Sequence, residues 1–200
     1  MRLKQYKTAR RLGARIFSKT QNPKFVLTKH MKLRKHPSPM TEFGLQFLEK
    51  QKMRYSYNLS ERQFGNYVKS AMTKSGVDPG VYLYSILELR LDNVLYRLGL
   101  AKTRPLARQL VSHGHIVVNK KKVTISSCKL REGDLIQIRG GSREKKVFAD
   151  LTESLKTHTS PSWLSFDMNT MEGKVIGIPK LEKFSEGLFN ISEVIGFYSR

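Results

Sequence analysis

Between Leu87 and Arg139 the spacing of apolar residues changes from helical to alternating, and this restricts the folds open to the chain. Leu87, Leu91, Val94, Leu95 and Leu98 recur three and four apart, which predicts a helix with one inward face. Ser85 and Glu88 have capping-box spacing, with Tyr84 and Leu89 at staple positions, so the start of this helix is expected at Ser85. Gly99 is a suitable C-terminal stop. Thr103 can cap a second helix, Pro105 is tolerated in its first turn, and Leu106, Leu110 and Val111 form its apolar side up to Gly114. Ile116-Val117-Val118 then reads as a short strand. Asn119-Lys120 is a tight turn into Lys121-Lys122-Val123, with Lys120 where glycine is usual, so a type I′ turn carries some strain. After a turn at Glu132-Gly133-Asp134, Leu135–Arg139 alternates like a half-buried strand. Gly140-Gly141-Ser142 reads as a flexible loop that lacks the spacing of a nucleotide-phosphate cradle.

The polar positions of this stretch are rich in nitrogen donors. Arg90, Asn93 and Arg97 fall on the polar side of the first helix; Arg104, Arg108, Gln109, Ser112 and His113 fall on that of the second. Glu88 and Asp92 read as surface partners of the neighbouring arginines. Over all 200 residues, 37 Lys and Arg face 16 Asp and Glu, a formal net charge of +21, which calls for a polyanionic partner. Nucleic acid leads, because each neutralised phosphate releases counterions. An anionic membrane is the weaker candidate. No apolar run reaches the roughly 20 residues a spanning helix needs, and the N-terminus shows no secretory signal. The lone Cys128 can form neither an intrachain disulfide nor a Cys-based zinc site. His113 and His115 have no nucleophile nearby, and Asp150, Glu153, Asp167 and Glu172 read as surface charges or caps. Neither enzyme activity nor a cofactor is expected.

Residues 1–40 hold twelve Lys or Arg and no acid. Leu12, Ile16, Phe17, Phe25 and Val26 are too scattered to build a core. Such a block is either a solvated tail or an arm that orders against phosphates; Tyr6, Phe17 and Phe25 favour the arm. His36-Pro37-Ser38-Pro39 ends it. A helix with Phe43, Phe47 and Leu48 inward follows. Ser60 and Gln63 then begin another, whose stripe of Phe64, Tyr67, Val68, Ala71 and Met72 reads as core in preference to a base-stacking platform. Gly76–Gly80 is a break. Residues 143–160 read as a polar helix and loop. Trp163, Leu164, Phe166 and Met171 are packing groups, and Val175–Ile178 is a strand. Residues 181–200, with two basic residues and three acids, form a helix whose Leu188, Ile191, Val194, Ile195 and Tyr198 pack on protein, either the chain's own helical domain or a partner.

The string RLDNVLYRLGLAKTRPLARQLVSHGHIVVN, ending at Asn119, resembles the RNA-binding domain named after small-subunit ribosomal protein S-four. FGLQFLEKQKMRYSYNLSERQFGNYV (43–68), PSWLSFDMNTMEGKV (161–175) and the closing FYSR resemble the ribosomal family itself, of bacterial or organellar type. The resemblance implies an α+β protein: a basic arm over 1–40, a helical domain over 41–85 completed by 181–200, and an inserted RNA-binding domain with its extension over 86–180. It implies a constituent of the small ribosomal subunit that binds 16S-type rRNA early in assembly, at a multi-helix junction in the 5′ domain. It also implies contact with the neighbouring S-five protein, a place near the path by which mRNA enters, and an effect on decoding accuracy. Neither a membrane nor a second copy of the chain is an implied partner. A bacterial cytoplasmic ribosome is the simple reading, with a chloroplast or mitochondrial one as the alternative. Many relatives carry a Cys-rich zinc site or a Pro-Pro-Gly-Gln-His-Gly-like string before the helical domain. Here the region reads LTKHMKLRKHPSPM instead, so no metal is expected and the arm's local path departs from theirs.

On this reading the RNA-facing residues are Arg90, Asn93, Arg104, Arg108, Gln109, Ser112 and His113 on the helical pair, and Asn119, Lys120, Lys121 and Lys122 on the hairpin. Lys50, Lys52, Arg54 and Arg62 extend the surface onto the helical domain, and Arg2, Lys4, Arg10 and Arg11 carry the arm. Two rivals share the RNA-binding module: an RNA-modifying or tRNA-charging enzyme, which would need a catalytic domain that no other stretch supplies, and a free factor acting on stalled ribosomes, which the string at 43–68 argues against.

Overall fold

The structure is a computed structural model that describes residues 4–27, 39–143, 145, 148, 151, 155, 158–168, 170–180 and 189–199. It divides into two units, one of residues 1–83 with 181–200 and the other of residues 84–180. Its elements are mixed α+β, with seven α-helices among the described residues and a five-stranded antiparallel sheet.

In the first unit, α1 (Gln5–Leu12) ends at Gly13, whose φ of 66° makes the left-handed stop glycine permits. Ala9, Phe17 and Phe25 are buried together, with Ile16, Leu27 and Tyr55 packed on them. The basic segment therefore has a small core of its own, contrary to the expectation that its apolar residues are too scattered. Tyr55 comes from α2 (Glu42–Ser56), a partner that the spacing within 1–40 could not reveal. The arginines join in: Arg15 donates to the Phe25 carbonyl at 3.1 Å, and the Arg10 guanidinium lies 5.2 Å from the Phe25 ring centroid.

Thr41 caps α2, and Ser60 caps α3 (Glu61–Met72) by accepting from the Gln63 N–H at 3.2 Å. The α3 stripe behaves as core at Phe64, Val68 and Ala71, while Met72 at its end is exposed. On α2 the expected inward face is corrected. Phe43 is half exposed, and the buried residues are Gln46, Lys50, Gln51 and Met53. Phe47 and Leu48 are half-buried, and the expected face is partly covered by the C-terminal helix α7 (Ile191–Tyr198), which lies along α2 and sets Phe197 against Phe43 and Phe47. Ile191 and Val194 are buried in the contact, as the near-neutral composition of this end suggested; Leu188 lies outside the described residues.

Helix α4 (Pro79–Glu88) starts earlier than expected. Asp78 accepts from the Val81 N–H at 2.9 Å and Pro79 takes the first helical position, so the apparent break at 76–80 holds a helix start. Ser85 lies inside this helix and is not a cap. The chain then breaks at Leu89-Arg90 before α5 (Leu91–Arg97). Leu87, Leu91, Val94, Leu95 and Leu98 are all fully buried as the spacing predicts, although two helices share them. Thr103 caps α6 (Arg104–Ser112) by accepting from Leu106 N–H at 3.2 Å, with proline in the first turn.

The strands are β1 (Ile116–Val118), β2 (Lys121–Lys122), β3 (Leu135–Ile138), β4 (Leu164–Asp167) and β5 (Glu172–Val175), in sheet order β2-β1-β3-β5-β4. Val118 pairs with Lys121 and with Ile136, and Ile136 with Gly173. Ile116, Ile136, Ile138, Leu164 and Val175 face the α5–α6 leucines, and Trp163 closes the same core. At Gly173 a Cβ would meet Leu98 Cδ1 at 2.5 Å, so a side chain there would have to displace the buried Leu98 side chain at the end of α5. The strand expected at Val175–Ile178 lies three residues earlier; Ile176 and Ile178 are exposed beyond it. Gly140–Ser142 is a 3-10 turn with Ser142 buried, not a flexible loop.

Asn119 and Lys120 take φ of 49° and 64°, the pair of positive values a type I′ hairpin needs. Asn119 holds the turn: its Oδ1 accepts from Leu135 N–H at 2.9 Å and its Nδ2 donates to Asp134 at 2.8 Å. Replacing Lys120 by glycine removes the left-handed penalty and is expected to raise unfolding stability by about 1 kcal/mol, measured by urea denaturation. Leu95→Ala is expected to lower it by about 2–5 kcal/mol, because it leaves a cavity at the centre of the second core.

Candidate nucleic-acid interface

The break between α4 and α5 places four arginines around two buried carboxylates. Arg90 sits in the break with extended backbone, and it bridges to Lys129. Its side chain is turned inward, 2% exposed, and grips Asp92 with two hydrogen bonds of 3.0 and 2.7 Å. Arg108, from α6, donates to the same carboxylate at 3.1 and 2.8 Å. On the other side, Arg97 grips Glu88 at 2.9 and 2.8 Å, and Glu88 is wholly buried. The Asn93 amide nitrogen donates to the Glu88 carboxylate and to its carbonyl, both at 2.9 Å. The Asn93 oxygen accepts from Arg104 at 2.7 Å, and the Arg104 guanidinium lies 4.4 Å from the Tyr96 ring centroid. Two-point arginine–carboxylate pairs fix direction as well as charge.

This corrects two expected RNA contacts. Arg90 and Asn93 are interior residues, because the chain breaks where a continuous helix was expected and turns their side chains inward. Glu88 and Asp92 pair with arginines as expected, but in the interior, not at the surface. Arg104 and Arg108 reach the surface as half-buried groups, and Arg97 joins them; the side chains of Arg97 and Arg108 are about one-third exposed.

The remaining residues of this unit keep an open face. Gln109, Ser112 and His113 are exposed along α6, although the Ser112 hydroxyl turns back to donate to the Gln109 carbonyl at 3.0 Å. Lys120, Lys121 and Lys122 are exposed on the hairpin, and no ion pair engages them among the described residues. Asn119 is exposed but its amide serves the turn.

In the first unit the expected surface is also corrected. Lys50 is 4% exposed, 2.6 Å from Glu61 and within 4.4 Å of the Phe197 ring centroid. Burial pushes the Glu61 carboxyl up, but the Lys50 hydrogen bond and charge, with Arg54 and Tyr198, outweigh it and leave Glu61 below the usual range. Tyr198 donates to Glu61 at 3.3 Å; burial, then the Glu61 charge, push its hydroxyl up to about 12. Lys52 pairs with Glu49, while Arg54 is held by Gln51 and Glu61 against the Tyr55 ring. Only Arg62 of these four is an exposed side chain without an ion pair among the described residues. Lys4, Arg10 and Arg11 are exposed on and beside α1; Arg2 lies outside the described residues, as do Asp150 and Glu153.

Among the described residues no group of histidine, cysteine, aspartate or glutamate is arranged to hold a metal, and no helix is long and apolar enough to cross a membrane.

Two family models meet in this chain without a gap. Residues 1–88 match the ribosomal protein S4/S9 N-terminal domain, and residues 89–136 match the S4 domain. Together they define a ribosomal protein with an S4-type module. Small ribosomal subunit protein uS4 of Roseiflexus sp. (strain RS-1) is 42% identical over 208 residues, covering 97% of this chain and 96% of that one. The protein of the same name from Aquifex aeolicus (strain VF5) is 38% identical over 202 residues, at 97% and 95% coverage. That of Syntrophomonas wolfei is 44% identical over 160 residues, at 80% and 76% coverage. The chain belongs to the uS4 family of small-subunit ribosomal proteins.

His115 is buried with its Nδ1 3.0 Å from Ser142 Oγ and its ring edge-on to Phe148. Burial, then the nearby charges of Lys145, His113 and Arg139, hold its pKa below 6.5. The unfolded chain thus binds the proton more readily, so His115 favours the fold above that pH and this contribution is lost on acidification. Urea denaturation at pH 7.5 and 5.5 is expected to show lower stability at pH 5.5, with a smaller difference in His115→Gln.

Proposed function

We propose that this protein is a structural constituent of the small ribosomal subunit and binds its rRNA directly. The observation that carries this is the reach of the likeness: relatives named for that subunit align over 97% of the chain, helical part and S4 module alike. An enzyme or free factor that borrowed the module alone would match only near residues 89–136. The charge and the exposed cations of the second unit supply the physics. Affinity comes from phosphates, and selectivity from junction shape and 2′-hydroxyls, since the deep major groove of A-form RNA excludes side chains.

The RNA-facing set is Arg97, Arg104, Arg108, Gln109, Ser112 and His113 from the helices, with Lys120, Lys121 and Lys122 from the hairpin; Arg62, Lys4, Arg10 and Arg11 add to it from the first unit. Early binding at a multi-helix junction, contact with S-five, proximity to mRNA and an influence on accuracy are the finer parts of the proposal, supported by the family resemblance. A ribosome of bacterial type is its setting. The named relatives are bacterial, and an organellar ribosome is the alternative setting.

On a sucrose gradient in high salt the protein is expected to stay with the small subunit at fixed stoichiometry; a protein that washes off is a factor and the proposal fails. Changing Arg104 and Arg108 together to alanine is expected to weaken rRNA binding by at least about 1 kcal/mol in a filter-binding assay. The log–log salt slope should become shallower by about 0.7 to 0.9 for each phosphate that the variant no longer neutralises.

A further inference from the structure

Glu88 and Asp92 are an odd choice for the interior of a protein that must bind a polyanion. Each removes a positive charge from the cluster that meets RNA, and each bears the desolvation cost of a buried carboxylate. Apolar side chains of similar volume often serve stability as well as a buried ion pair does. What apolar side chains cannot do is aim guanidinium groups at the surface.

The pattern of bonds does this at three places. Asp92 holds Arg108 of α6 with two hydrogen bonds while Arg90 holds Asp92 from behind with two more. Glu88 holds Arg97 with two. Asn93 is tied to Glu88 by its nitrogen and passes the alignment to Arg104 through its oxygen. The anchors are at most 2% exposed, whereas the held arginines reach solvent. Three guanidinium groups bond the two carboxylates and a fourth, that of Arg104, bonds Asn93, so the cluster keeps a net positive charge. A free arginine must give up rotamer freedom when it binds a phosphate, and one already held gives up less.

We infer that Glu88, Asp92 and Asn93 are positioning residues for RNA binding, holding Arg97, Arg104 and Arg108 in the orientation in which they meet the phosphate backbone. This rests on the RNA-binding reading above. It makes a prediction opposite in sign to simple electrostatics. Asp92→Asn raises the protein's net charge, so if charge alone matters it binds RNA more tightly. If Asp92 aims Arg108, the variant binds more weakly.

The test is a mutant cycle on the full-length protein with an in vitro transcript of small-subunit rRNA as probe. Affinities of the wild type, Asp92→Asn, Arg108→Ala and the double variant are measured across a salt series. Asp92→Asn is expected to bind about tenfold more weakly, in the range of a lost charged hydrogen bond, with a shallower salt slope. In the Arg108→Ala background the same change should cost little more RNA affinity, because Asp92 then holds only the interior Arg90 and no surface arginine is left to aim. A protein that is only less stable would lose apparent affinity with the wild-type slope, since its folded molecules bind as before; that result overturns the inference. So does equal or tighter binding by Asp92→Asn, or a double variant whose losses add. Should Asp92→Asn not fold, Glu88→Gln with Arg97→Ala forms an equivalent cycle, read in the same way. A wild type that fails to bind the transcript overturns the RNA-binding reading itself, and the inference falls with it.

Discussion

The second unit depends on what fills the break between α4 and α5. Ending one helix and starting another within two residues leaves backbone groups without helical partners, and these cannot be buried unpaired. The segment around Ser126–Leu130 satisfies them. Leu91 N–H donates to the Cys128 carbonyl at 2.9 Å, Asp92 N–H to Ser126 at 3.1 Å, and Leu130 N–H to Leu89 at 2.9 Å. This short pairing pulls Arg90 into extended backbone. From there its side chain points into the protein, which in turn requires an acid inside to receive it. The arginine arrangement on α5 and α6 thus follows from a few main-chain bonds to a loop far along the chain.

The first unit uses a related device with rings in place of acids. Lys50 runs between Phe47 and Phe197 to reach Glu61, so one ammonium joins α2, α3 and α7. A lysine stem is apolar along most of its length, and only the head needs a polar or aromatic partner. The backbone N–H of Asn190 adds a second tie, donating to Glu49 of α2 at 2.8 Å. Asn190 then caps α7 by accepting from the Ser192 N–H at 3.0 Å. The end of the chain is fastened at both the start and the finish of its helix.

What could be read from the sequence was whatever depends on near neighbours. Thr103, Pro105 and Gly114 bound α6 because capping and left-handed stops act within a turn. Asn119-Lys120 reads as a hairpin because a two-residue loop leaves few turn types. The leucines from 87 to 98 read as core even though the single helix assumed for them is two. The errors share a different cause. Arg90, Asn93 and Lys50 look like surface residues because charged and amide side chains usually are. The acids that receive Arg90 and Asn93 are near in sequence, but the burial of the cluster rests on Arg108 and Arg104 of α6, and that of Lys50 on Phe197 of α7, groups on other elements that leave no trace in the local spacing. Strand β4 is hard to read because Leu164 and Phe166 alternate with Ser165 and Asp167 over only four residues, too short a run to establish a period, and β5 reads three residues late because the apolar Val175, Ile176 and Ile178 draw the strand past its real end. Asp78 was missed as a cap because Gly76 and Pro79 read as an interruption.

The hairpin has a consequence for the molecule before it meets RNA. Strand β2 is an outer strand of the sheet, and among the described residues no strand lies beside its main-chain groups on one side. Such an edge is a template on which another chain can add a strand and start an aggregate. Here the edge is two residues long, both lysines, and it follows a tightly wound turn. A second copy approaching in register would set lysine against lysine. The side chains proposed to meet phosphates therefore also oppose the addition of a strand from a second copy at this edge of the sheet.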